Sequence, residues 1–489
     1  MMAEFELQHP VRRGAVQRDP ISGDKKSGLA FARSITVESA IFWAFIAGLA
    51  WVPFWYGSNV LLAWGVNAVL FPGLVLIYEI SILIRGEGHP VAIRELKIPA
   101  ALFVAVVLWI VVQDATWTPS FLHHPIWAMA AGTLDRQVEG SITVNRDLTT
   151  LALLRLVTSA SVFWIAVQLC RNASRALQLM TAFVAISSGY AAYGLVVFSL
   201  AQSENTISRN FVVSTFYNHN HYAAYAGMGL IAVCGLVLRT YRREMTTLGG
   251  SLKYKIATFI EATGPRTAAL LASAILLLVT VLLTGSRGGV IVTLIGLAAL
   301  GGLTVGRRGR SSAGMRTAIV IGGILVVASL LAFGGMFMTQ MAEKGLYDDY
   351  RVAVQVMTLR SIFEAPLTGY GYGTFQDVFP MFRDRSISVQ GVWFQAHNTY
   401  LEVFQGLGLL FGSALLACMV VLVLKCYRGA TQRQEGVAIP AIAASVAVLV
   451  GVHSLADFSL QIQAVTLTFM ALLGAGVAQS RSSQLAVGD

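Results

Sequence analysis

Twelve stretches of this chain stay apolar for about as long as a helix needs to cross a lipid bilayer, and that restricts its fold more than any other feature. The hydrocarbon core of a membrane is about 30 Å thick, which a helix of about 20 residues spans. With no water there to bond exposed amides and carbonyls, each crossing segment must pair its backbone internally, so such runs become helices. The candidate spans are 36–56, 60–84, 98–113, 149–170, 176–200, 222–238, 267–284, 288–305, 317–338, 398–424, 437–455 and 464–479. The third and the last are short for a full crossing. Only 12% of the residues are charged and 56% are hydrophobic, whereas a soluble domain carries about 25% charged residues. The expected fold class is all-α, a polytopic membrane protein of about twelve transmembrane helices.

A formal net charge of +10 invites a nucleic-acid reading, but the basic residues sit in short loops between spans, where they orient a membrane protein. With the amino terminus inside, inner segments hold about 25 of the 35 Lys and Arg residues, and outer loops about nine. Arg242, Arg243, Lys253 and Lys255, and Arg307, Arg308, Arg310 and Arg316, then all face the cytoplasm. The inverse topology would put these basic loops outside. Residues 1–35 read as a disordered cytoplasmic tail without the features of a signal peptide, residues 36–479 as one transmembrane domain, and 480–489 as a second cytoplasmic tail. Cys170, Cys234, Cys418 and Cys426 fall in spans or at their inner ends, so neither a disulfide nor a cysteine metal site is expected.

This topology leaves two sizeable outer segments, 114–148 and 339–397, the latter between the ninth and tenth spans. Within the second, residues 351–364 alternate at helical spacing and predict an amphipathic helix on or beside the membrane surface. Pro366 and the glycines of Gly369-Tyr-Gly-Tyr-Gly373 end it in a tight turn. Ionisable groups at membrane depth are costly and mark function, and here they gather at the outer face. Arg287 lies in Leu-Thr-Gly-Ser-Arg-Gly-Gly, whose glycines would let backbone amides and a guanidinium approach a phosphate together. It is equally readable as an interfacial arginine that snorkels to lipid. Arg351 and His397 each have a similarly plain alternative, a solvated loop charge and a helix-capping imidazole. His123, His124, His219 and His221 read more readily as structural. Arg155, inside an apolar span, needs a partner or a wet cavity. No third acidic residue joins Asp348-Asp349 at short spacing, and His219-Asn-His221 has no evident partner ligand, so no metal is expected. No nucleotide-binding glycine turn occurs, and no cofactor is expected.

Several of these pieces recur in one family. Phe216-Tyr-Asn218-His-Asn220, Thr284-Gly-Ser-Arg287-Gly-Gly289, Arg351 followed by Pro366-Leu-Thr-Gly369-Tyr-Gly371, His397-Asn398-Thr-Tyr400-Leu401 and His453-Ser-Leu-Ala-Asp457-Phe458 appear in order. With them, residues 205–470 resemble the O-antigen ligase and O-antigen polymerase superfamily of membrane glycosyltransferases. The resemblance implies a metal-independent enzyme of the bacterial inner membrane with a periplasmic active site. It would move a glycan from an undecaprenyl diphosphate carrier to a sugar hydroxyl on lipid A–core or on another lipid-linked glycan. It further implies that Arg287 and Arg351 engage the diphosphate and His397 serves the acceptor. Arg155, Asn218, His219, Asn398, Tyr400 and Asp457 are further candidates for binding substrate. Gln355 departs from the family, where Trp is frequent, and puts the packing of the surface helix in question. The competing class is a solute or ion transporter, which would place its site near the bilayer midplane at broken helices.

Overall fold

The computed structural model describes residues 24–203, 211–245, 264–305, 335, 349–387, 391–433 and 435–481. Fourteen α-helices and no β-strand occur among them. They are α1 (Asp24–Trp51), α2 (Leu61–Arg85), α3 (Lys97–Asp114), α4 (Ile126–Leu134), α5 (Arg146–Leu169), α6 (Ala173–Ser203) and α7 (His219–Met245). There follow α8 (Pro265–Leu283), α9 (Arg287–Val305), α10 (Asp349–Glu364), α11 (Phe375–Phe382), α12 (Thr399–Gln432), α13 (Ala438–His453) and α14 (Gln463–Gln479).

Eight of these, α2, α3 with its preceding turn, α5 to α9 and α12, are long and apolar enough to cross a membrane; Val37–Trp51, α13 and α14 are shorter apolar helices. The protein is therefore an all-α polytopic membrane protein. The span expected at 317–338 lies outside the described residues, apart from the helical Gly335. Where helices overrun the expected spans, hydropathy had marked only their apolar part. The ladder of α12 continues through the polar Lys425–Gln432, and that of α7 to Met245.

The bundle sorts its helices by side-chain size. α7 is the most enclosed of the long spans, because small residues along it admit close neighbours. A Cβ at Gly227 would run into Thr293 of α9, and one at Gly235 into Ile442 of α13. The same device seats α14 on α5, where a Cβ at Gly474 would lie 2.7 Å from the Phe163 carbonyl. Large apolar side chains of α2 face outward instead: Leu83 is 81% exposed and Val69 76%. Such a surface is tolerable only in lipid.

At one end of the bundle the two long polar connections meet. The Val144 amide donates to the Tyr370 carbonyl at 2.9 Å, and the Asn145 side chain to Asp377 at 2.7 Å. α10 runs where the amphipathic pattern placed it and buries Val354, Met357 and Ile362. Below it, α12 is broken at Gly408, whose φ of 74° and ψ of 172° are not helical. A break exposes carbonyls that cannot be left bare in an apolar setting. The Tyr370 and Gly371 amides donate to the carbonyls of Gln405 and Gly406 at 3.0 and 3.1 Å, and the Leu409 amide to Pro366 at 2.7 Å. Gln113 donates to Gly406 at 2.7 Å and Trp109 to Leu407 at 3.1 Å. The Gly369–Gly373 turn is thus the complement of the break.

Gly408 cannot gain a side chain, because its φ is positive and a Cβ would strike the Leu367 carbonyl. We expect Gly408→Ala to lower the thermal midpoint in detergent, with a cost of about 1–3 kcal/mol. Gly65→Ala, which meets nothing within 4 Å, should not. Equal midpoints would show that the break is not held in place.

Candidate active site

The polar cluster begins with a short turn. After α13 ends at His453, the chain folds through Asp457, whose amide donates to the His453 carbonyl at 3.0 Å. This turn carries the Asp457 side chain inward until it is 2% exposed. A carboxylate so enclosed needs partners. Its Oδ1 accepts the Phe458 amide at 2.8 Å and lies 3.4 Å from His397 Nδ1 and 3.6 Å from His221 Nε2. Its Oδ2 lies 3.8 Å from Arg351. The two imidazole contacts are ion-pair distances outside good hydrogen-bond geometry, and neither ring nitrogen has another partner. The Phe458 ring packs against both imidazoles, with centroids 4.5 Å from His221 and 4.9 Å from His397.

His397 is held in an unusual backbone state. Its φ is 52°, the left-handed region that a side chain enters at a cost. Asn398 follows as the N-cap of α12 and accepts from the Tyr400 and Leu401 amides at 3.1 and 3.2 Å. Gln355 of α10 donates to the His397 carbonyl at 3.1 Å, which gives the departure from Trp a role. The Ala396 amide donates to Glu402 at 2.6 Å. The contacts fix the segment so that Nδ1 faces Asp457.

Arg287 opens α9. Ser286 caps the helix, accepting from the Gly289 amide at 3.0 Å and donating to Asn220 at 2.7 Å. One expected free amide is therefore spent, and Gly289 serves to let α9 pack on Ala223. Gly288 places the helix start beside His453: a Cβ there would lie 3.7 Å from the ring. One guanidinium nitrogen of Arg287 is buried with no hydrogen-bond partner. A cation at a helix N-terminus adds to the dipole's positive end rather than offsetting it, which favours an anion beside it.

The other candidates divide. His219 Nδ1 bonds the Thr284 carbonyl at 2.8 Å and its ring stacks on Phe211; the charges of Asp457 and Arg351 reach it. Asn218 accepts the Asn220 amide at 2.8 Å near the start of α7. Asn398 also donates to the Leu455 carbonyl at 3.0 Å, and the Tyr400 hydroxyl donates to Gly451 at 2.7 Å. These polar atoms brace the scaffold. Arg155 lies apart, donating to the Gln461 carbonyl beneath Glu402. His221, Gln355 and Phe458 were not among the site candidates read from the sequence. The two-residue spacing of His219 and His221 marked the first, the departure from Trp marked Gln355, and Phe458 closed a motif quoted for its neighbours.

Burial pushes the Asp457 carboxyl upward, but the contacts from His221 and His397 and the charges of His221 and His453 outweigh it. The group is held well below the usual carboxylate range. A carboxyl depressed below its unfolded value of about 3.9 contributes stability that is fully present above that value. The contribution is lost as pH falls through the folded value. The difference in thermal midpoint between the wild type and Asp457→Asn should therefore not shrink from about pH 8 to 5, where protonating histidines add to the pairing, and should shrink below about pH 4. Shrinkage already between about pH 7 and 5 would contradict an ionised Asp457.

Residues 272–412 match the family model described as O-antigen ligase. No curated protein matches the chain. The matched stretch includes Arg287, Arg351, His397, Asn398 and Tyr400, and stops short of Asp457 and of both ends of the resemblance seen in the sequence. The segment that carries Arg287, Arg351 and His397 is thus similar to the O-antigen ligase family, and the match covers less than a third of the chain.

Proposed function

We propose that the protein transfers a glycan from undecaprenyl diphosphate to a sugar hydroxyl without a metal ion, at the periplasmic face of the bacterial inner membrane. The observation that carries this reading is the pairing of His397 and Arg351 on one buried carboxylate, beside a helix start whose Arg287 has an unpartnered buried nitrogen. With Nδ1 facing Asp457, the imidazole presents Nε2 as its basic nitrogen, and the carboxylate stabilises the imidazolium that forms, as in other Asp–His pairs.

The acceptor hydroxyl attacks the anomeric carbon while His397 takes its proton. The bond between that carbon and the diphosphate oxygen breaks, and the electron pair leaves with the diphosphate. Arg287 and Arg351 stabilise the charge that accumulates there. Asp457, itself anionic and enclosed, orients these groups rather than touching the diphosphate.

The interrupted α12 is the feature that favours a transporter, since broken helices often coordinate ions. Its freed carbonyls at Gln405, Gly406 and Leu407 each accept from a protein donor, so the break needs no ion to satisfy them. Between the family's two activities we favour the ligase, with lipid A–core as acceptor; a polymerase would extend a second lipid-linked repeat unit.

In a reaction of purified protein with a defined lipid-linked donor, Arg287→Ala, Arg351→Ala and His397→Ala should each lower transfer by at least about a hundredfold, with membrane levels near wild type. Arg287→Lys should also be impaired, because a point charge does not reproduce a planar two-pronged contact. EDTA should leave the rate unchanged. Transfer at wild-type rates by His397→Ala would remove the base; strong inhibition by EDTA would require a metal. In a deletion strain, free polymer left unattached indicates a ligase, and single unextended repeat units a polymerase.

A further inference from the structure

A cavity of about 370 Å³ runs between α3, α5, α12 and α14, within the usual size of a small-molecule pocket. Along α5 its lining extends from Ala152 to Trp164, about 18 Å at the rise of a helix. That is more than half of a bilayer core of about 30 Å. Phe103, Leu156, Phe163, Leu415, Leu422 and Phe469 make its walls apolar. The polar groups collect at one end, where Arg155, Glu402 and Gln461 line it.

Arg155 is under-satisfied in this setting. One guanidinium nitrogen donates to the Gln461 carbonyl and the group lies 4.4 Å from the Trp64 ring centroid, but its Nε is buried without a partner. Glu402 does not answer it directly. Its oxygens already accept from the Ala396 amide and the Gln461 side chain. A cation at the head of a chain-shaped apolar cavity is complementary to an amphiphile with an anionic head.

We propose that this cavity holds one acyl chain of an anionic membrane phospholipid, with the lipid phosphate on Arg155, at a site separate from the reacting centre. Arg287, Arg351, His397 and Asp457 do not line it. Gln461 lies at the polar end, bonded to Glu402 through its side chain and to Arg155 through its carbonyl. A lining about 18 Å long suits one acyl chain, whereas most of a polyprenyl tail would lie outside it.

The test is native mass spectrometry of the full-length protein in detergent, with phosphatidylglycerol, phosphatidylethanolamine and undecaprenyl phosphate added separately and in competition. The wild type should retain one phosphatidylglycerol in preference to the other two. Arg155→Gln should weaken retention by about tenfold. Ala160→Trp and Ala100→Phe, which fill the cavity from opposite walls, should abolish it; having both keeps the test valid if one variant melts early. Leu83→Trp, on the lipid-facing side of α2, should bind as wild type. Equal retention of phosphatidylethanolamine, displacement by undecaprenyl phosphate, or unchanged binding in a folded cavity-filled variant would each overturn the proposal.

Discussion

A carboxylate almost without solvent contact organises this end of the molecule. Left alone, the Asp457 charge would cost several kcal/mol of desolvation, so whatever surrounds it must supply positive charge or donors. The chain supplies them from four separate places: His221 at the start of α7, Arg351 in α10, His397 before α12, and the Phe458 amide beside it. None of these is near another in sequence, and only Phe458 is near Asp457 itself. The requirement to pair one buried anion gathers them into a single cluster, and the bundle positions the ends of its helices accordingly.

The rest of the scaffold keeps that cluster in register. The left-handed backbone at His397 persists because Gln355 holds its carbonyl, Glu402 holds the Ala396 amide before it, and Asn398 caps the helix after it. The break at Gly408 has the same logic on a larger scale. It leaves α12 in two parts, and the Gly369–Gly373 turn binds the freed carbonyls, locking the long polar connection onto the span that carries His397 at its head. Arg287 joins from the other side through Gly288 and His453. Strain and polar backbone at such depth survive only where the surroundings over-determine them.

Much of this was legible in the sequence, for identifiable reasons. Bilayer thickness sets the length of apolar runs, so the helical class and most spans followed from hydropathy alone, and the helical spacing of 351–364 marked α10. Span ends were less legible, because α7 and α12 continue as helices into polar residues that hydropathy does not count. In the cluster, Arg287, Arg351 and His397 stood out as ionisable groups near predicted membrane boundaries. Asp457 was noticed as part of a motif and as one of six further candidates, and not as a centre, since its importance lies in burial and in partners distant along the chain. His221, Gln355 and Phe458 were visible as residues, but they act through tertiary contacts that spacing along the chain does not disclose. Arg155 was marked as a cation needing a partner or a wet cavity, but its place beside a largely apolar cavity required the packing of four helices to be seen.

The most direct test is a double-mutant cycle on the transfer rate, joining His397→Gln and Asp457→Asn. If the carboxylate works by orienting and charging the imidazole, the double variant should be little slower than the slower single variant, because the two residues act as a unit. Losses that multiply would mean that Asp457 and His397 act independently, and the cluster would lose its organising centre.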